Sequence, residues 1–249
     1  MKKKFIIKDA RRLLAEQINS SQIVEGKNMN IETMSKMKGL SEVIPKDNDG
    51  YCTVYKMDCA DGLGLMTVYQ AFPGIQLIYN DFEATEYEWE GIFDKNILEI
   101  NHCREGREGS RLLSGSCLYL GEGDLSIHTM DNCASEMSFP LKHYRGISVV
   151  INLETVSKNP PAILEEAGID IMEFRDKFCA SGNCFIMRAK DEIEHIFFGT
   201  VFCTGLLAKT VYEAKSAGIV VISLYGRCGK GEAERTVYVT SCGNCKRDT

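Results

Sequence analysis

The chain has 249 residues, enough for one large domain or two small ones. Hydrophobic residues make up 44% and charged residues 26%, ordinary values for a soluble globular protein, and no apolar run approaches the roughly 18 residues of a membrane span. The net charge of −6 and a pI near 5.4 argue against a broad basic nucleic-acid surface, though not against a local one.

Met1 to Ile7 opens like an export signal, but Lys8, Asp9, Arg11 and Arg12 interrupt any apolar core, so no signal is expected. The chain is therefore expected to be cytoplasmic, with its eleven cysteines reduced and mostly buried. Leu13, Leu14, Gln17 and Ile18 fit one helical face behind Asp9 as N-cap, and Ile31, Met34, Met37 and Lys38 suggest a weaker helix ending at Gly39. Residues 1–45 are accordingly set apart as a helical segment, and the Met pair reads as packing.

Pro45 to Gly50 is a loop of turn formers, and from Tyr51 the period changes to two. Cys52, Val54 and Tyr55 lead one strand, Leu65, Met66, Val68 and Tyr69 another, and Ile75 to Tyr79 a third after the Phe72-Pro73-Gly74 turn. Gly62-Leu63-Gly64 lacks the third glycine and following helix of a dinucleotide loop, so it reads as a hairpin turn. The acidic, aromatic stretch from Phe82 to Trp89 reads as a loop at a barrel rim.

Between Ile97 and Ile151 three apolar runs are separated by glycine- and charge-rich turns. Leu98, Ile100 and His102 alternate with Glu99, Asn101 and Cys103, Leu125 and Ile127 with Ser126 and His128, and Ile147, Val149 and Ile151 with Ser148 and Val150. This is the pattern of half-buried strands, with Gly121, Gly123 and Asp124 in a tight turn. A meander of short strands points to a β-barrel or sandwich.

The strings Asn96 to Arg107, Tyr119 to Ile127 and Phe139 to Tyr144 resemble the N-terminal regulatory half of a clostridial AraC-type transcriptional regulator, over roughly residues 45 to 196. The resemblance implies a mainly β (α+β), cupin-like sensor barrel with flanking helices over residues 46–196. It also implies a small-molecule effector or partner surface, a homodimer, and DNA contact only through a helix-turn-helix module that is not recognisable in this chain. Leu153, Val156, Ile163, Leu164 and Ala167 suggest helical pieces split by Pro160-Pro161, and Ile169 to Phe178 continue that region. Cys184 to Met187 is a short strand, and Ala189 to Ile196 the start of a helix.

After Ile196 the character shifts: residues 197–249 hold four of the eleven cysteines and seven of the 22 glycines. Read from the second base of each codon, with the free base chosen, Phe198 to Thr204 can become SELYSVP and Tyr212 to Ala233 can become MKLKVLELLLFLSMVDVEKEK, strings of the kind that would continue the resemblance. The tail is therefore read as atypical, a frameshift product without a matched surface on the barrel. It is expected to be poorly ordered, or to form an opportunistic strand around Gly218 to Tyr225, so that truncation after Ile196 changes unfolding little.

No catalytic constellation is legible. Cys242 and Cys245 have the spacing of half a zinc site without a second pair, and GRCGKG at Gly226 to Gly231 lacks the hydroxyl residue of a phosphate loop. The CASGNC loop from Cys179 to Cys184 reads as two thiols flanking a turn. His102, His128, His143 and His195 each stand alone, and Arg104 falls where a His-x-His pair would end, so no metal and no cofactor is expected. What remains is binding in a concave interior, with His102, Arg104, Glu105, Tyr119 and His128 as candidates for an effector pocket. The bland alternative is a buried His or Arg satisfied by a neighbouring carboxylate without any ligand. The rival function is a metal-independent cupin-like enzyme acting on a small polar or sugar substrate.

Overall fold

In the structure, a computed structural model, the described residues are 40–45, 52–88, 95–112, 117–132, 136–180, 184–189, 213–216 and 218–219. The helices expected before Gly39, nearly all of the one expected from Ala189, and the cysteine and glycine motifs of the tail lie outside them. Eleven strands are described: β1 (Leu40–Pro45), β2 (Cys52–Cys59), β3 (Gly62–Phe72), β4 (Ile75–Glu83), β5 (Glu86–Glu88), β6 (Ile97–Arg111), β7 (Cys117–Gly121), β8 (Asp124–Thr129), β9 (Glu136–Ser138), β10 (Tyr144–Asn152) and β11 (Phe185–Arg188). Three helices lie between β10 and β11: α1 (Leu153–Lys158), α2 (Ala162–Glu166) and α3 (Ile171–Cys179).

All pairings are antiparallel, and the main path runs β1-β2-β3-β4-β10-β6-β8-β11. The 15-residue β6 belongs to two sheets. Its first part pairs with β10 and β8, whereas Arg107–Arg111 pairs with β7, and Gly109 and Ser110 also pair with β9, which in turn pairs with β5. The change of sheet follows a register shift opposite Arg145 and Gly146, where Arg104 is the extra residue, and Gly106 two positions on has φ +84°. A bulge of this kind bends a strand, and a Cβ at position 106 would collide with the His143 carbonyl.

Around β4, β10, β6 and β8 the large sheet is covered on both faces. Leu98, Ile100, Leu125, Ile127, Val149 and Ile151 pack against Val156, Leu164, Phe174 and Phe178 from the helices. The other face carries Met57, Val68, Phe82, Cys103 and Tyr144, which pack against Tyr87, Leu118, Leu120 and Phe139 from the region of the small sheet. Phe139 stacks between Phe82 and Tyr144, with ring centroids 4.8 and 5.5 Å away.

The helices form where the apolar spacing and caps place them. Asn152 caps α1 by accepting from Thr155 N at 2.9 Å, Asp170 caps α3 by accepting from Met172 N at 2.7 Å, and Pro160-Pro161 separates α1 from α2. Turns at Gly74 (φ +79°) and Gly123 (φ +81°) fall where the glycines predict them.

Several expectations are corrected. The reversal before β3 falls at Ala60-Asp61, and Gly62 and Gly64 belong to the strand, because the Phe82 ring occupies the space a Cβ at 64 would need. The stretch from Phe82 is not a rim loop: β4 runs to Glu83, and in β5 Tyr87 is buried between two exposed glutamates. The charge-rich run after Cys103 is strand, not turn, as far as Arg111. In the tail, residues 213–216 and 218–219 are helical where a strand around Gly218 was expected, and Ile219 is fully buried within the helix-side core.

Candidate functional site

Between the two sheets the core is not wholly apolar. Alternation along β6 sends Leu98 and Ile100 to the helix side and Glu99, Asn101 and Cys103 to the inter-sheet side. Ser148 on β10 and Ser126 on β8 lie directly opposite Asn101, and directly opposed residues share a face. The result is a polar layer centred on Asn101.

Asn101 Nδ2 donates to Glu108 Oε2 at 3.0 Å, while Asn101 Oδ1 accepts from Tyr144 Oη at 2.9 Å and from Ser148 Oγ at 3.3 Å. Ser110 Oγ donates to Glu108 Oε1 at 3.0 Å, and Asn80 Nδ2 to Ser148 Oγ at 3.1 Å. His128 Nε2 lies 3.4 Å from Glu99 Oε2, at the edge of the layer where the Glu99 side chain keeps 18% of its exposure. Gly146 makes room for the Tyr144 phenol, since a Cβ there would strike its oxygen. The Ser126 hydroxyl is fully buried on the same face and has no hydrogen-bond partner among the described residues.

The two carboxyls are driven apart. Burial alone would raise Glu99, but the hydrogen bond and charge of His128, helped by Ser148, hold it below its ordinary value. Burial, reinforced by the Glu99 charge, holds Glu108 above its ordinary value despite hydrogen bonds from Tyr144, Ser110 and Asn101. The folded chain therefore binds the Glu108 proton more tightly than the unfolded chain does. That contribution to stability is full below the ordinary carboxylate range and is lost as pH rises through the raised native value, whereas the Glu99 contribution is lost as pH falls through its lowered one. Glu108→Gln is expected to gain stability relative to the parent as pH rises from about 4 to 7. Urea unfolding at a series of pH values checks this, and parallel pH curves for the two proteins would count against it.

The five candidates read from the sequence are dispersed. His128 lies in the polar layer. His102 is fully buried, but on the helix side, opposite Leu125 and Ile147. Arg104 is half-buried just past the end of that alternation. Glu105 does not point inward: it is exposed and pairs with Arg145, which also pairs with Asp81 and Glu83. Tyr119 does not point inward either and is 55% exposed on β7. Glu99, Asn101, Glu108, Ser126 and Ser148 carry the layer instead. Their only sequence signal was polar residues alternating with apolar ones, which reads equally well as a solvent face. Among the described residues no three His, Cys, Asp or Glu side chains are grouped to hold a metal, and Cys179 and Cys184 are free thiols.

The class that the fold defines is a mainly β, antiparallel two-sheet domain with a helical layer. No protein-family model matches the chain, and no curated protein matches it. Among solved structures, the AraC-like transcriptional activator CuxR is similar over 66% of this chain and 55% of its own, with a TM-score of 0.42 and 10% identity. Unsaturated-fatty-acid-bound ToxT from Vibrio cholerae is similar over 61% of this chain and 52% of its own, with a TM-score of 0.38 and 9% identity. EutQ of Clostridium difficile is similar over 39% of this chain and 69% of its own, with a TM-score of 0.28 and 17% identity. The chain thus spans about half the length of the two regulators, and no residue role follows from these likenesses.

Proposed function

We propose that this chain is the effector-sensing domain of an AraC-type transcription regulator, with a small molecule held between the sheets and DNA contacted only through a helix-turn-helix module supplied outside the recognisable sequence. The observation that supports the reading is the polar layer around Asn101. A domain that needed only stability would fill this space with apolar side chains at no loss, because buried ionisable groups repay their desolvation poorly. A buried hydroxyl without a partner among the described residues, on the face that also carries Glu99 and Asn101, suits a ligand that completes the hydrogen bonding. The resemblance of Asn96 to Arg107 and the other two strings adds the regulatory class, with a homodimer as its usual assembly.

Two measurements test it. Titration of the isotope-labelled chain with sugars, amines and organic acids is expected to give saturable shifts at the Ser126 and Asn101 amides for at least one class; silence across all three would overturn the reading. At about 0.15 M salt the chain is expected to show no preference for an upstream operator duplex over random duplex, since its balance is acidic and no recognition helix is legible. The opposite shifts of Glu99 and Glu108 favour one rival, a metal-independent cupin-like enzyme using them as base and acid. Recovery of the bound ligand chemically unchanged separates a sensor from that enzyme.

A further inference from the structure

We propose that Cys179 and Cys184 are the two halves of a reversible disulfide, a thiol–disulfide switch that ties the end of α3 to the start of β11. The proposal stands apart from the effector-site reading. Both cysteines are free thiols. Helix α3 ends at Cys179, and β11 begins at Phe185, one residue after Cys184. The rings of Phe178 and Phe185 lie 5.1 Å apart, so the residues that flank the two cysteines on the outside already touch. That contact closes the chain on itself, and Cys179 and Cys184 are the next pair inward. The two flanks are held by different parts of the fold. Phe178 is anchored in the helical layer beside Phe174, with centroids 4.8 Å apart, whereas Phe185 opens a strand paired with β8 opposite Ile127. A bond between the two sulfurs would therefore fasten the helical layer to the strand that ends the main sheet path.

The two thiols take different parts. Cys184 is half-buried, and among the described residues its sulfur gives up only a long 3.9 Å contact with the Phe185 carbonyl. Cys179 is 7% exposed, and burial pushes its thiol up to about 12; His128 and Arg175 oppose the rise, while Cys184 and Asp131 add to it. Cys184 is thus the thiol that meets a small disulfide oxidant such as oxidised glutathione. Its thiolate attacks one glutathione sulfur, the glutathione S–S bond breaks, and one glutathione thiolate leaves. The Cys179 thiol then loses its proton to the buffer and attacks the Cys184 sulfur, which expels the second glutathione thiolate. Two protein thiols are oxidised and one glutathione disulfide is reduced to two thiols. The raised Cys179 value makes the second step the slow one.

The test is peptide mapping of the full chain after incubation with oxidised glutathione at about pH 7 and about pH 8.5, quenched with N-ethylmaleimide before digestion. Trypsin cuts after Lys177 and Arg188, so one peptide, Phe178 to Arg188, carries both cysteines and no others. The expected result is that this peptide becomes lighter by two hydrogen atoms and is restored by dithiothreitol. Cys103, fully buried between the sheets, should stay unlabelled and so report an intact fold. Closure is expected to be about 10- to 30-fold faster at the higher pH. Cys179→Ser is expected to stop at a glutathione adduct on Cys184, and Cys184→Ser to take no adduct at Cys179. A native chain that stops at the Cys184 adduct, that pairs either cysteine with any other, or that closes the bond only in urea, where Cys103 also reacts, overturns the proposal.

Discussion

Asn101→Ala is expected to lower the stability of the folded chain by about 3–5 kcal/mol, a loss in the range reserved for broken buried networks. The side chain contributes little area, so a transfer argument would assign it almost nothing. Its effect lies in what it leaves behind. Glu108 loses the Nδ2 donor, and Tyr144 and Ser148 lose the Oδ1 acceptor, all three buried. Each orphaned group costs about 1–3 kcal/mol, and because they share one partner the losses do not simply add. Asn101→Asp is expected to be at least as damaging, since it places another carboxyl against Glu108. Denaturant unfolding checks both, and an Asn101→Ala loss below about 1 kcal/mol would show that water or a rearranged Ser148 restores the layer.

Truncation after Ile196 is expected to cost about 2–5 kcal/mol, the opposite of what the sequence suggested. Ile219 is fully buried in the core shared with Phe174, Phe178 and Leu164, and deleting a buried aliphatic side chain leaves both a transfer loss and a cavity. Ile219→Ala in the full-length chain separates packing from length: it should reproduce much of the truncation loss. If both variants unfold like the parent, residues 197–249 are dispensable to the fold and the out-of-frame origin of the tail gains weight. A cooperative loss in both would instead mean that this tail has a surface to pack on, whatever its codons could otherwise spell.

The strands around Ile100, Ile127 and Val149 were legible because one face of each meets the helix-side core, which gives a clean period of two. The same alternation concealed the site. Glu99, Asn101, Ser126 and Ser148 occupy the positions that a one-sided sheet would show to water, and nothing in their spacing says that a second sheet covers them. That cover comes from β5, β7 and β9, short strands whose exposed glutamates and glycines hide Tyr87 and Leu120. Tyr119 was drawn inward by its place in a strand, but burial alternates and its neighbours Leu118 and Leu120 took the interior positions. Arg104 is the extra residue of a bulge and Glu105 follows it, and a one-residue slip reverses which face a side chain meets. Ile219 could not be found from the sequence, because long-range packing leaves no local period.

The strand order has a consequence in time. β10 lies between β4 and β6, yet it is made after both, and the ribosome must add 41 residues between the end of β6 at Arg111 and the end of β10 at Asn152. At about 5–20 residues per second that is an interval of roughly 2–8 s. Throughout it, β4 and β6 each present an unpaired edge, with Ile75, Leu77, Leu98 and Ile100 bare. Such edges pair readily with other chains, so the yield of this protein should depend on how fast the stretch from Cys117 to Asn152 is translated. Slow codons there lengthen the interval before β10 closes the sheet.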